Sequence, residues 1–410
     1  MLQTALTTAL PPIVKEFKIS INTGQWLTSG YSLAMSIMIP LSSFLMNRFR
    51  TRRLYLTAIL FFLTGLTIAF FSVNFYMMLV GRIVQACGSG LLSSMGQVII
   101  LTIFPPEKRG SAMGWYGLSV GAAPVISPTI AGILADTIGW RTIFLLSISI
   151  MLCTLVYTLI EFSDCIPNKK VKFDIFSFIL SAFTFGGITL AIGNFGTYKF
   201  VSYHVLLSLI IGILAGVIFS IRQLNLKQPF LDIRVLGNKC FAISALTIIG
   251  VNLINMGSAV IFPLYFQQVK KKSATISGLA VLPGSLSLAL VSPFVGKIYD
   301  KMGIKVLFIV FASINIIRCL CISLLNMPII TWGMSKIPAS KTTDGSATIN
   351  SFRIVSGSVG TALFVSVMTY IENLVKDSKP EPQLYGINVV FLSMALISFI
   401  ILLFGIFGCE

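Results

Sequence analysis

Residues 48–73 read RFRTRRLYLTAILFFLTGLTIAFFSV. Four arginines fall within six positions, and the twenty residues that follow carry no charge. A helix rises about 1.5 Å per residue, so about 20 apolar residues cross a hydrocarbon layer roughly 30 Å thick. A helix also satisfies its own backbone hydrogen bonds in that layer without help from neighbours. The stretch predicts a membrane helix with a basic collar at one end.

Working outward, the pattern recurs through all 410 residues. Long apolar runs occupy 24–46, 54–73, 76–103, 111–135, 142–160, 175–193, 203–221, 241–267, 276–295, 319–335, 346–371 and 387–407. Two further runs, 2–14 and 306–317, are too short to cross alone, which makes fourteen apolar stretches. Hydrophobic residues make up 56% of the chain and charged residues 10%. Soluble domains carry about 25% charged residues, so a water-soluble globule is excluded.

The net charge of +17 follows the same logic. Cytoplasmic loops of membrane proteins hold excess Lys and Arg, so a basic balance needs no nucleic-acid partner. The side that contains Arg48, Arg50, Arg52 and Arg53 carries eighteen basic residues, and the opposite side nine. That asymmetry puts the arginine collar in the cytoplasm of a plasma-membrane protein, with both termini on the cytoplasmic side. The cluster Lys270–Lys272 then faces outward, against the rule. Residues 1–14 show no basic n-region and no small-residue cleavage site, so they read as a stunted helix rather than a leader. The seven cysteines form no paired framework, and no metal site or cofactor is expected.

An internal repeat links two loops. Ser43-Phe-Leu-Met-Asn47-Arg48-Phe-Arg-Thr-Arg52-Arg53 follows one helix, and Gly296-Lys-Ile-Tyr-Asp300-Lys301-Met-Gly303-Ile-Lys305 follows another. Both have the form small–x–apolar–x–(Asp/Asn)–basic. Repeated halves that hold substrate near the bilayer midplane are a common transporter plan.

At these residues the chain resembles the major facilitator superfamily, whose loop motif reads G-x-L-x-D-R-x-G-R-R. The second copy is close, and the first departs at Ser43, Asn47 and Arg50. The resemblance implies gating loops at Asn47, Arg48, Arg52, Arg53, Gly296, Asp300, Lys301, Gly303 and Lys305. The alternative is an ordinary solvated basic loop. Gly81-Arg82-Ile-Val-Gln85-Ala-Cys-Gly88 resembles the superfamily's G-R-x-x-Q-G-x-G helix, in which the arginine is linked to proton coupling. Buried intramembrane charge is expensive and usually functional, although Arg82 could instead snorkel to the interface. Gly114 through Gly132, with Gly121, Pro124 and Pro128, resembles the motif typical of drug and sugar antiporters in the superfamily, where prolines bend the rod; plain small-residue packing is the alternative. Asn350-Ser-Phe-Arg353, with Gly357, Gly360 and Thr361, continues the likeness.

Two helices inserted between six-helix halves resemble the fourteen-helix drug–proton antiporters of the EmrB/QacA type. The expected fold is an all-α integral membrane protein with the major-facilitator fold, two six-helix halves plus two inserted helices, a truncated first helix and a truncated region near 304–335. Its parts are 1–160, an N-terminal six-helix half; 161–239, two linker helices; and 240–410, a shortened C-terminal half. Candidates for a substrate cavity are polar or aromatic residues within helices: Trp26, Tyr31, Trp115, Tyr116, Asn252 and Asn255. Flat rings suit lipophilic cations, and lipid contact or an interfacial aromatic belt is the other reading.

Proton antiport calls for a carboxylate inside the membrane, its pKa raised by desolvation. None of the thirteen acids falls mid-helix, and the resemblance aligns the family's first-helix acid with Leu2. One His and no buried acid leave no general base or nucleophile pair, so an enzyme is not expected. The expectation is proton-coupled efflux of lipophilic or cationic drugs by a monomer whose partners are bilayer, small lipophilic substrate and protons. Two alternatives stay open: transport of another amphiphile with altered coupling, and a ligand-binding protein that does not transport.

Overall fold

The computed structural model describes residues 2–166, 173–195, 202–265, 269, 294–295, 297–298, 300–301, 318–376, 378 and 380–408. The apolar runs become helices α1 (Leu2–Phe17), α2 (Ile21–Arg48), α3 (Thr51–Phe70), α4 (Phe75–Ile103), α5 (Arg109–Thr137) and α6 (Arg141–Glu161). They continue as α7 (Ile175–Ser181), α8 (Gly187–Phe195), α9 (Tyr203–Asn225), α10 (Lys239–Leu264), α11 (Arg318–Ser335), α12 (Thr342–Val375) and α13 (Pro382–Gly408). One wider turn of π type, Ala182–Gly186, joins α7 to α8 as a single rod. Among the described residues, nine spans are long and apolar enough to cross a membrane.

Burial is inverted from that of a soluble bundle. On α6 only Ile143, Phe144 and Thr158 are buried, while Ile150, Val156 and Ile160 are exposed. Exposed apolar surface on this scale marks contact with something other than water. On a helix of this length, lipid is that surrounding.

The chain divides into two compact units. The first comprises Met1–Ile103, Ala123–Val235 and Pro338–Ser351; the second comprises Phe104–Ala122, Leu236–Ile337 and Phe352–Glu410. In the first unit, α3 and α4 meet backbone to backbone. A Cβ on Gly81 would stand 2.9 Å from the Ala69 nitrogen, and one on Gly88 would stand 2.5 Å from the Ala58 carbonyl oxygen. Gly65 lies equally close to the Gln85 backbone. Small residues allow this approach, and dispersion and weak polar contacts then hold helices that lipid does not push together. In the second unit, Ser244 Oγ donates to the Ile329 carbonyl at 2.7 Å and ties α10 to α11. Phe262 packs on Phe391 with centroids 5.5 Å apart, joining α10 to α13.

The helices α7, α8 and α9 belong to the first unit. Asp174 caps α7, accepting from the Ser177 amide at 3.2 Å and hydroxyl at 2.7 Å. Arg222 of α9 pairs with the same carboxylate at 3.0 Å. Gln223 then donates to Ser177 Oγ at 2.7 Å and accepts from the Phe230 amide at 2.7 Å. Burial opposes ionisation of Asp174, but the Ser177 bonds and Arg222 outweigh it and hold the carboxyl below its usual range.

The run expected at 319–335 is α11. The short stretch at 306–317, Lys270–Lys272, Gly296, Gly303 and Lys305 lie outside the described residues. The helix α5 continues through Pro124 and Pro128 without a break in its backbone assignment.

Candidate functional site

Arg82 decides between the two readings given to it. Its side chain is fully buried on α4, so it does not snorkel. The guanidinium lies over the Tyr31 ring at 4.1 Å. Its Nε donates to the Leu27 carbonyl of α2 at 3.2 Å, and its Nη1 donates to Gln85 Oε1. Tyr31 in turn donates to Ser89 Oγ at 2.7 Å. Among the described residues, Arg82 Nη2 and Gln85 Nε2 find no hydrogen-bond partner. A buried cation with a donor to spare is costly to maintain. This cluster brings together four predicted residues, Gly81, Arg82, Gln85 and Tyr31, with Gly88 seated one turn further along.

The two repeated loops sit against the starts of two long helices, one in each unit. In the second unit, Asp300 accepts from the Gly110 amide at 2.8 Å, the Ser111 amide at 2.8 Å and the Ser111 hydroxyl at 2.7 Å. It thus satisfies free N–H groups in the first turn of α5, where a negative charge is also favoured by the helix dipole. In the first unit, Asn47 Oδ1 accepts from the Thr343 hydroxyl of α12 at 3.2 Å. Beside it, Ser43 Oγ donates to Asp344 Oδ1. Arg48, Arg52, Arg53 and Lys301 are exposed. The Arg52 amide donates to Asp164 Oδ1 at 2.9 Å and its Nη2 to the Leu159 carbonyl at 2.6 Å.

The expectation of no buried acid is corrected here. Asp344 is 8% exposed and Asp232 is 9% exposed. The apolar run begins at residue 346, but α12 starts four residues earlier, after a 3-10 turn at Ala339–Lys341. Hydropathy alone therefore left Asp344 in a loop. Polar contacts continue along α12. Ser346 Oγ donates to Gln97 Oε1 at 3.1 Å, and Asn350 Nδ2 donates to the same oxygen at 2.9 Å. Gln97 Nε2, Ser94 Oγ and Asn350 Oδ1 find no partner among the described residues. Sequence reading missed Gln97 and Ser346, although two amides and two serines within apolar runs were a visible signal.

The cavity candidates divide between the units. Trp26 and Tyr31 belong to the first; Trp115, Tyr116, Asn252 and Asn255 belong to the second. Trp26 lines a shallow cleft with Gln25, Ser29, Leu33, Thr189 and Asn194, between α2 and the inserted α8. Asn252 donates to the Arg353 carbonyl, the partner a buried amide requires. Trp115 is 59% exposed. Gly121, Pro124, Pro128 and Gly132 all lie on α5. Among the described residues, no group of His, Cys, Asp and Glu could hold a metal ion.

Apolar rods in two units, a sealed arginine and paired loops at helix starts define a multi-pass membrane transporter. A family profile described as Major Facilitator Superfamily matches residues 1–381. The chain belongs to the major facilitator superfamily, and so is a transporter rather than an enzyme. It is 34% identical over 97% of its length to the uncharacterised MFS-type transporter YcnB of Bacillus subtilis, covering 89% of that protein. It is also 34% identical to the lincomycin resistance protein LmrB of B. subtilis, over 89% of this chain and 82% of that one. The multidrug export protein EmrB of Haemophilus influenzae is 26% identical over 88% of this chain and 76% of its own. Among solved structures, the human organic anion transporter MFSD10 aligns with a TM-score of 0.66 at 11% identity, covering 98% of this chain and 95% of that one. That likeness speaks to the fold alone.

Proposed function

We propose that this protein exports lipophilic or cationic drugs across the plasma membrane by alternating access, driven by protons and acting as a monomer. The observation that carries the reading is the 34% identity, over most of both chains, to a protein named for lincomycin resistance. Sealed Arg82 supports a coupling role, since a buried charge of this kind is usually functional. Gating would rest on the loops at Asn47 and Asp300, and the second-unit loop would include Gly296, Gly303 and Lys305. The six-helix halves at 1–160 and 240–410 would rock about the substrate, with 161–239 as the inserted pair and both termini in the cytoplasm.

The test is export of a fluorescent dye and of lincomycin from cells that express the protein, with and without a protonophore. Export that stops with protonophore supports the reading. Export that continues favours the second reading, transport of an amphiphile with altered coupling. That alternative draws on one observation: none of the described acids lies near the centre of a candidate span. No export of any probe overturns both.

A further inference from the structure

We propose that Asp344 is the junction acid of the first unit. It is a positioning residue that holds the start of α12 on the end of α2, as Asp300 holds the start of α5 in the second unit. The acid here sits on the helix start itself rather than on the residue that faces it.

The two helix starts are built alike. Each follows a proline, Pro105 and Pro338, and then a single 3-10 turn ending in lysine, Lys108 and Lys341. The chain then reads Arg109-Gly110-Ser111-Ala112 in one case and Asp344-Gly345-Ser346-Ala347 in the other. Between them lie only the two extra threonines, 342 and 343. The loops facing these starts show the reverse substitution. Asp300 faces the helix that begins with Arg109, and Asn47 faces the helix that carries Asp344. One junction thus has a basic residue at the helix start and an acid facing it; the other has an acid on the helix start and a neutral residue facing it.

The chemistry of the exchange is sound. A first-turn carboxylate is favoured by the positive end of a helix whichever element carries it. Asp344 is 8% exposed, and in this low-dielectric place its charge needs donors. Ser43, fully buried on α2, supplies one through its hydroxyl. Asn47, one helical turn further along α2, fills the place of the loop acid as a neutral acceptor of the Thr343 hydroxyl. A second carboxylate at Asn47 beside Asp344 would set like charges together. Neutral Asn47 therefore complements the acid across from it. Lys341 is already engaged with Asp232 at 2.7 Å.

The exchange makes a prediction that mere packing does not. Hydrogen–deuterium exchange, on the full chain in detergent or nanodiscs, reads the amides of residues 342–350. Asp344→Asn should raise their exchange at least tenfold. Asn47→Asp alone should also loosen them, and the pair Asn47→Asp with Asp344→Asn should return exchange to within threefold of the native protein. Unchanged exchange in Asp344→Asn overturns the proposal, and so does a double variant no tighter than the single one. If Asp344→Asn cannot be recovered from membranes, Ser43→Ala takes its place. That variant removes the donor alone; increased exchange at 342–350 supports the proposal, and native exchange overturns it. The readout needs no substrate, so a native protein that exports no drug would sink the proposed function and leave this inference standing.

Discussion

The starts of α5 and α12 differ in one respect that alters how each is held. At α5 a single carboxylate, Asp300, gathers three donors from one turn. At α12 the contacts are spread: Ser43 to Asp344, Thr343 to Asn47, Ser346 and Asn350 to Gln97, and Lys341 to Asp232. One joint gathers its bonds on one residue, and the other spreads them over several, Asp344 among them. A concentrated joint is expected to fail all at once, and a distributed one by degrees.

The largest effect expected from this contrast comes from Asp300→Asn. The amide keeps the shape but loses the charge, and hydrogen bonds to charged groups are worth about 1.5–3 kcal/mol each. Export should fall at least tenfold, measured as initial dye efflux. Retention of more than half the activity would mean that the α5 joint is less concentrated than its geometry implies. Second comes Ser346→Ala on α12. It removes a buried hydroxyl whose one proton is shared between Gln97 and the Ser94 carbonyl, for about 0.5–1.5 kcal/mol. A melting curve in detergent should show a fall of a few degrees with transport largely kept; complete loss of transport would break the contrast.

A third helix start sharpens it. At α7 the acid is the N-cap itself, bonded to Ser177 and paired with Arg222. Asp174→Ala should cost about 0.5–2 kcal/mol. Because the carboxyl is held below its usual range, its stabilisation is fully present above the ordinary carboxylate value of about 4 and is lost as pH falls through the lower, folded value. The gap in melting temperature between native protein and variant should therefore stay constant from about pH 7 to 5 and close only below about pH 4. A gap that closes near neutrality would contradict the assignment. Smallest is Lys341→Met. Only the Lys341 end of its pair with buried Asp232 is exposed, and Asp232 keeps the Arg234 amide as a donor, so the loss should be about 1 kcal/mol and shrink at high salt.

The helices were legible because length and apolarity leave little choice in a bilayer. The run read as 54–73 is a helix at Thr51–Phe70, and that at 142–160 is Arg141–Glu161. The ends were less so. Polar first turns, such as Thr342–Gly345, look like loop until a packed partner makes burial worthwhile. Asp344 escaped notice for this reason, whereas Arg82 stood out as a lone charge in an apolar run. Asp300 was found through its repeat, but its three bonds to α5 required the fold. Two features stayed unread: the cleft at Trp26, which needs α8 placed beside α2, and the cap that Asp174 forms on α7.

The bare backbone contact between α3 and α4 has a consequence for motion. Gly65, Gly81 and Gly88 mesh with the opposite strand of chain like teeth, and teeth do not slide. Shear, the small gliding of packed helices over one another, is barred along this seam. Any movement of the first unit must carry the two rods together as one lever, and the compliance has to be sought at their ends. A methyl group added at Gly88 would wedge the gear, so this seam should tolerate less variation than the lipid-facing leucines beside it.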